Sequence, residues 1–494
     1  MRRFFVLPLA LVASASACHS NAAPSPVSAG SSSVERLRTA IDSMADAPQF
    51  SNAHWGILII DPESGDTLYS RNAGKLFMPA SNMKILTTAT ALTQLGADFR
   101  FRTSFAARGT ISNGTLDGDL LVIGRGDPSV SDHMMHDAML PLRAIADSIS
   151  ARGVKHITGR VLPAGDAFPG ATLGYGWSYD DFQDSYSAPI DELLFNEGFS
   201  VIHVRGGERP GDPVQVAVSP ARSFPKVRVL ASTTVLAHDV PHRTDGGLRV
   251  RYDSTTWDVI LEGQIAPRDT ASLEITHHDP DVAYAAALRE ALRDRGIVVD
   301  EETINPGSRV DTLATLTSPT LREILPPLLK PSQNQIAEML FRAVALNATG
   351  AGRADSATAV VSRQIAAWGV PANEAVVRDG SGLSRYDYVS PRTVARVLDA
   401  MRRSSSFAAF YDGLPIGGVD GTIRNRMKGT PAANNVHAKT GTLAMARSLS
   451  GYVTTADGRM LIFSLLCNNW TVPTREVERV QDEIVVRLAA MRIH

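Results

Sequence analysis

The chain is poor in cysteine: 494 residues hold only Cys18 and Cys467. A multi-bridge disulfide framework is thereby excluded, and the fold must stand on its hydrophobic core. Cys467 lies in an apolar, strand-like run and reads as a core residue. An excess of charge of one sign is lacking too. Lys and Arg number 49 against 51 Asp and Glu, a formal net charge of −2, so nothing points to nucleic acid. No apolar run reaches about 18 residues, so no internal transmembrane helix is expected. Two catalytic signatures are absent. Gly380-Ser381-Gly382 has the wrong spacing for a G-x-S-x-G elbow, and no H-E-x-x-H occurs. His277-His278-Asp279 invites a metal reading, but adjacent side chains on a strand point to opposite faces. Arg125-Gly126-Asp127 reads as a turn, and no internal repeat is visible.

What remains is ordinary globular material, 44% hydrophobic and 20% charged, long enough for two or three domains. The N-terminus reads as a targeting segment over residues 1–17. Arg2 and Arg3 precede the short apolar stretch Phe4 to Ala13, and Ala15-Ser16-Ala17 is a small-residue cleavage site. Cys18 follows at once. A lipoprotein cysteine takes that place, so Cys18 is a candidate for lipidation and membrane anchoring; plain secretion is the alternative. Residues 18–33, rich in Ser, Ala and Pro, read as a flexible tether.

Ser81-Asn82-Met83-Lys84 carries the most chemistry. Met83, Leu86, Ala89 and Leu92 have helical spacing, and Gly96 is a stop signal, so a helix is expected over Asn82 to Leu95. Residues three apart share a helical face, which lets the Lys84 amine reach the Ser81 hydroxyl. A serine is a poor nucleophile until a base takes its proton, and lysine can do so once its pKa is lowered. Alone the signal is weak, with roughly one or two chance matches expected in such a chain. One decoy, Ser223-Phe224-Pro225-Lys226, puts proline in the first turn and has no amphipathic run behind it. Two further motifs follow in order. Ser332-Gln333-Asn334 precedes the apolar-periodic run of Ile336, Met339, Leu340 and Ala343; Ser332 there has the chemistry of an N-cap, with Gln335 completing a capping box. Lys439-Thr440-Gly441-Thr442 leads toward a hairpin whose Asp457-Gly458 turn sits between two apolar runs, so it is placed on a strand. A lysine beside a strand glycine lets a substrate backbone come close while the ammonium holds a carboxylate.

S-x-x-K, S-x-N and K-T-G in this order are the signature set of penicillin-binding proteins and class A β-lactamases. Ser332 follows Lys84 by 248 positions, room for an inserted domain. In this layout the chain resembles the low-molecular-mass class C penicillin-binding proteins, the D-alanyl-D-alanine carboxypeptidase/endopeptidase family of serine peptidases. Gly124 to Pro128, Trp177 to Ala188 with Asn196, Asp379 to Arg385, Gly418 to Thr422 and Ala438 to Leu443 carry the resemblance as well. Gln333 departs from it, since the family usually has Asp there.

The resemblance implies an α/β (α+β) transpeptidase-like catalytic domain, an antiparallel sheet flanked by helices, with large β-rich inserted domains. Residues 34–99 and 276–494 are expected to form the catalytic domain. Residues 100–275, with short strand-like runs and weak helical periodicity, form the insert, expected as two subdomains. It also implies acyl transfer on peptidoglycan peptides, with β-lactam antibiotics as inhibitors. Ser81 attacks, Lys84 is the base, Ser332 relays a proton and Asn334 bonds the substrate amide or Lys84. Lys439, Thr440, Gly441 and Thr442 bind substrate, and repulsion from Lys439 helps keep Lys84 neutral. No metal or organic cofactor is called for, and the expected location is the bacterial periplasm or envelope. The competing readings are a β-lactamase, for which no deacylating glutamate is identified, and a non-catalytic cell-wall peptide-binding protein.

Overall fold

A computed structural model of the chain describes residues 32–234, 247–253, 258–302 and 309–493. The expected leader, Cys18 and the tether as far as residue 31 lie outside the described residues. Ser32 caps the first helix, Ser33–Ala45, in a capping box with Glu35.

One layer is a five-stranded antiparallel sheet in the order His437–Leu443, Ala446–Thr454, Met460–Asn468, His54–Ile60, Thr67–Arg71. Both ends of the chain therefore meet in one sheet. Its central strands are near-continuous apolar runs because both faces are covered, and alternate side chains go to opposite sides. Trp55, Ile57, Ile59, Phe463 and Leu465 pack with Ser33–Ala45 and Thr474–Ala490. Leu58, Tyr452, Ile462 and Leu466 pack against the helices Met83–Leu95, Leu321–Leu329, Asn334–Thr349, Ala354–Ala367, Pro391–Arg402 and Phe407–Gly413. Each large side chain buried in this way contributes about 1.5–3 kcal/mol. Cys467 is a free, buried thiol in the first of these cores.

The helix expected from Asn82 spans Met83–Leu95 and stops at Gly96. The hairpin turn at Asp457-Gly458 joins Ala446–Thr454 to Met460–Asn468 as expected. One local expectation is overturned. The cap of helix Asn334–Thr349 is Gln333, whose side-chain oxygen accepts from the Ile336 N–H at 3.1 Å. Ser332 sits one residue earlier at φ 72°, which frees its hydroxyl for another partner.

The inserted region begins with the hairpin Arg102–Ser112 and Thr115–Ile123. Val310–Thr317 extends it on one side, and short strands from 156–164 with Val298–Val299 extend it on the other. Beside these strands the insert carries the helix Met139–Ala151, and Pro280–Asp294 packs against it in the same core. Packing thus runs across residue 276 as far as Thr317. A further β unit, with Phe199–Arg205, Val259–Ile265 and Thr270–Thr276 among its strands, closes around Ile202, Leu261 and Ile275. Among the described residues, no helix is long and apolar enough to cross a membrane.

Candidate active site

Ser81 occupies a single 3-10 turn, Ala80–Asn82, leading into the helix Met83–Leu95. The residue before it, Ala80, is buried at φ 48°, a left-handed conformation that costs an alanine on the order of 1 kcal/mol and is held by its surroundings. The helix places Lys84 one turn on and wholly buried. Its Nζ lies 2.9 Å from Ser81 Oγ, 2.6 Å from Asn334 Oδ1 and 2.8 Å from the Ser381 carbonyl oxygen. Two of those partners only accept. When neutral, the amine has two N–H groups and one lone pair, so it can donate to Asn334 and Ser381 while accepting from the Ser81 hydroxyl. Such an arrangement lets Lys84 take a proton from Ser81.

Burial pushes the Lys84 pKa down to about 7, against the pull of Asp379 and Glu338. Repulsion from Lys439, expected as a contributor, acts mainly the other way: burial first, then Lys84 and Arg447, lowers Lys439 well below its usual value. Desolvation disfavours the charged form of both amines.

The other predicted residues converge here. Lys439 Nζ donates to Ser332 Oγ at 2.8 Å and to the Thr440 carbonyl at 3.0 Å. Asn82 Nδ2 donates to the Lys439 carbonyl at 2.8 Å, tying the Ser81 turn to the edge strand His437–Leu443. Ala438 N–H donates off the free side of that strand to Pro415. With a period of two, the N–H groups of Thr440 and Thr442 point to the same side. Thr440 and Gly441 join Ser81, Ser332, Asn334 and Thr442 in lining a groove of about 590 Å³. Thr440 Oγ1 bonds Thr422 Oγ1 at 2.8 Å, and Thr442 Oγ1 accepts from Arg447.

The motifs do not reveal the shell behind Lys84. Glu338 Oε1 accepts from the N–H groups of Gly380 and Ser381, at 3.0 and 2.7 Å. Asp379 accepts from the N–H groups of Gly382 and Ser384 and from Trp177 Nε1 at 2.9 Å. These bonds aim the Ser381 carbonyl at Lys84. Burial, then the Asp379 charge, pushes Glu338 up to about 8, and the same causes raise Asp387 well above the usual range. The run Asp379 to Arg385 signals a loop at the site, whereas Glu338 lies in a helix with no motif around it. Asn334 Nδ2 donates to the Tyr186 carbonyl at 2.7 Å, so the inserted segment reaches the site as well.

Gln333, the departure from the expected pattern, has its own partner. Its Nε2 donates at 2.9 Å to Glu197, a buried carboxylate of the insert that also bonds Ser131 and His133. The bond to Glu197 raises the His133 pKa. Gln333→Glu would set two carboxylates face to face. We expect a loss of about 1–3 kcal/mol at neutral pH. The new carboxyl has a folded pKa raised above its unfolded value, so the loss is absent below the unfolded pKa and complete above the folded one. Thermal melting across pH 4–8 checks this. Adding Glu197→Gln restores neutral-pH stability; a double variant as unstable as the single would refute the pairing.

Elsewhere, His277 is buried and its Nε2 lies 2.8 Å from Ser200 Oγ, while His278 stacks on Phe182. Among the described residues no cluster of His, Cys, Asp or Glu is arranged to hold a metal ion.

Known proteins resemble this chain along most of its length. The D-alanyl-D-alanine carboxypeptidase of Actinomadura sp. (strain R39) is 32% identical over 491 residues, spanning 96% of this chain and 88% of the relative. The D-alanyl-D-alanine carboxypeptidase DacB of Haemophilus influenzae is 28% identical, over 86% and 87% of the two chains. The crystal structure of penicillin binding protein 4 (dacB) from Haemophilus influenzae superposes with a TM-score of 0.76 at 25% identity, covering 91% of this chain and 99% of that one. A structure of the same protein complexed with a novel β-lactam superposes at 0.72. The model of the D-Ala-D-Ala carboxypeptidase 3 (S13) family matches residues 37–491, and the chain belongs to that family.

Proposed function

We propose that this chain cleaves the terminal D-Ala from peptidoglycan stem peptides through an acyl-enzyme on Ser81. The observation that carries the reading is the contact between Lys84 Nζ, whose other two partners are acceptors, and Ser81 Oγ at 2.9 Å. Lys84 takes the Ser81 proton as the oxygen attacks the D-alanyl carbonyl. The N–H groups of Ser81 and Thr442 receive the oxyanion, where one donor is typically worth about 3 kcal/mol. The proton taken by Lys84 passes by way of Ser332 to the departing D-Ala amine, which leaves Lys84 neutral again. Lys439, Thr440 and Thr442 hold the substrate carboxylate, whose charge restores the Lys439 ammonium. Water then hydrolyses the acyl-enzyme. The enzyme works in the periplasm or envelope, where its substrate is, and β-lactams acylate the same serine.

The test is incubation with benzylpenicillin and a D-Ala-D-Ala pentapeptide. A lasting penicilloyl adduct on the tryptic peptide Leu76 to Lys84, with D-Ala released from the peptide, is expected. Rapid penicillin turnover with a transient adduct would make it a β-lactamase. No adduct and no D-Ala would leave a peptide-binding protein.

The pH dependence follows from the buried amine. Only neutral Lys84 accepts a proton, and its pKa is about 7. The acylation rate constant, kcat/KM, is expected to rise tenfold per pH unit below that value and to level off above it. Stopped-flow acylation between pH 5 and 9 measures the limb; a flat profile would remove Lys84 as base.

A further inference from the structure

A second cavity, of about 680 Å³, lies in the inserted region and shares no lining residue with the Ser81 groove. Phe182, Phe224, Tyr252, His277 and His278 supply rings to its lining. Phe182 stacks on His278 with ring centroids 4.8 Å apart, Tyr252 meets the same ring edge-on at 4.2 Å, and Phe224 meets His277 edge-on at 5.4 Å. His277 is fully buried, bonds Ser200 through Nε2 and leaves Nδ1 without a partner. Burial keeps both rings neutral, with pKa values pushed down to about 3 and about 4, so the positive charge here belongs to Lys226, Arg289 and Arg293. Arg289 pairs with Glu301 at 3.3 Å. Among the described residues Lys226 and Arg293 are in no ion pair, and both are exposed at the cavity. Two carboxylates also line the cavity, Asp258 and Asp279, and Asp279 is engaged as the cap of helix Pro280–Asp294.

Flat rings around a concave site, with two spare cations at its edge, suit a ligand that combines ring faces with carboxylates. We infer that this cavity is a second binding site for the enzyme's own polymer, taking a carboxylated sugar-peptide portion remote from the scissile bond. This rests on the peptidase reading for the identity of the polymer. One segment joins the two sites. Phe182 faces the cavity, whereas Asp181 and Tyr186 line the Ser81 groove. The Tyr186 carbonyl accepts from Asn334, and the Ser185 carbonyl accepts from Gln335 Nε2 at 3.1 Å. An occupant pressing on Phe182 therefore bears on the segment that holds Asn334.

The test uses the whole mature protein with its groove blocked by penicillin. The acylated enzyme is titrated calorimetrically with a wall-derived disaccharide tripeptide, which has sugar rings and carboxylates but no D-Ala-D-Ala. Binding is expected to persist after acylation. The double variant K226E/R293E is expected to lose affinity at least tenfold while its penicillin acylation rate stays within twofold of wild type. The inference is overturned by absence of binding in the acylated protein, by equal binding in the charge-reversed variant, or by an uncharged N-acetylglucosamine oligomer binding equally well. Failure of Ser81 to acylate would instead sink the peptidase reading. The comparison of wild type with K226E/R293E would still report on the cavity, because neither residue lines the groove.

Discussion

Ser81→Ala is expected to take up no covalent penicillin and to release D-Ala about 10⁴–10⁶-fold more slowly than wild type, at an unchanged melting temperature. The reason is chemical and local. Ser81 Oγ is the nucleophile we assign, and Lys84, the base, has no other hydroxyl among its hydrogen-bond partners. Lys84→Met should lose nearly as much. It exchanges a buried amine for an apolar chain of similar length, so it folds, although Asn334 Oδ1 and the Ser381 carbonyl lose a donor. Residues that act as one unit are not additive, so the double variant should be no slower than Ser81→Ala alone. Steady-state D-Ala release with parallel melting curves decides the point. A penicilloyl adduct on the alanine variant would remove Ser81 from the mechanism. Additive losses in the double variant would show that Lys84 acts elsewhere.

Gly441→Val is expected to slow acylation about 10²–10³-fold, a loss out of proportion to any fall in melting temperature. A Cβ at this position would lie 2.2 Å from Ser448 Oγ, 2.5 Å from the Pro79 carbonyl oxygen and 2.9 Å from the Ser81 nitrogen. Ser448 Oγ already bonds that carbonyl at 2.7 Å, so the side chain cannot be accommodated without parting strand His437–Leu443 from the Ser81 turn. The Ser81 and Thr442 N–H groups, to which we assign the oxyanion, sit on those two elements, one on each, and a shift on the order of 1 Å separates them. Gly458→Ala is the contrast. It lies at φ 86° on the hairpin tip with nothing near its missing Cβ, so it should cost about 1 kcal/mol of stability and leave acylation unchanged. Stopped-flow acylation and thermal melting of the two variants separate the effects. Equal acylation by Gly441→Val and wild type would mean that the strand does not contribute to the oxyanion site.

The motif serines and lysines were legible because their chemistry depends on spacing along one element. Ser81 and Lys84 are three apart on a helical turn, and Lys439 to Thr442 follow strand periodicity into an Asp-Gly hairpin. The two strands flanking the Asp-Gly turn were legible as apolar runs for the same local reason. The local cap reading of Ser332 does not hold. Its cap chemistry was plausible, but the neighbouring Gln333 reaches Ile336 N–H and also bonds Glu197, 136 positions away. That competition is settled by tertiary contact.

The sequence by itself determined the identity and order of the groups we assign to the reaction and the short elements that carry them, because spacing on a helix or strand is a covalent property. Only the tertiary structure decided their protonation and aim. Lys84 is lowered by burial between a helix, a loop and a sheet edge, and Glu338, Asp379 and Glu197 act from distant parts of the chain. Desolvation and hydrogen-bond direction are properties of the packed interior, and no local spacing encodes them.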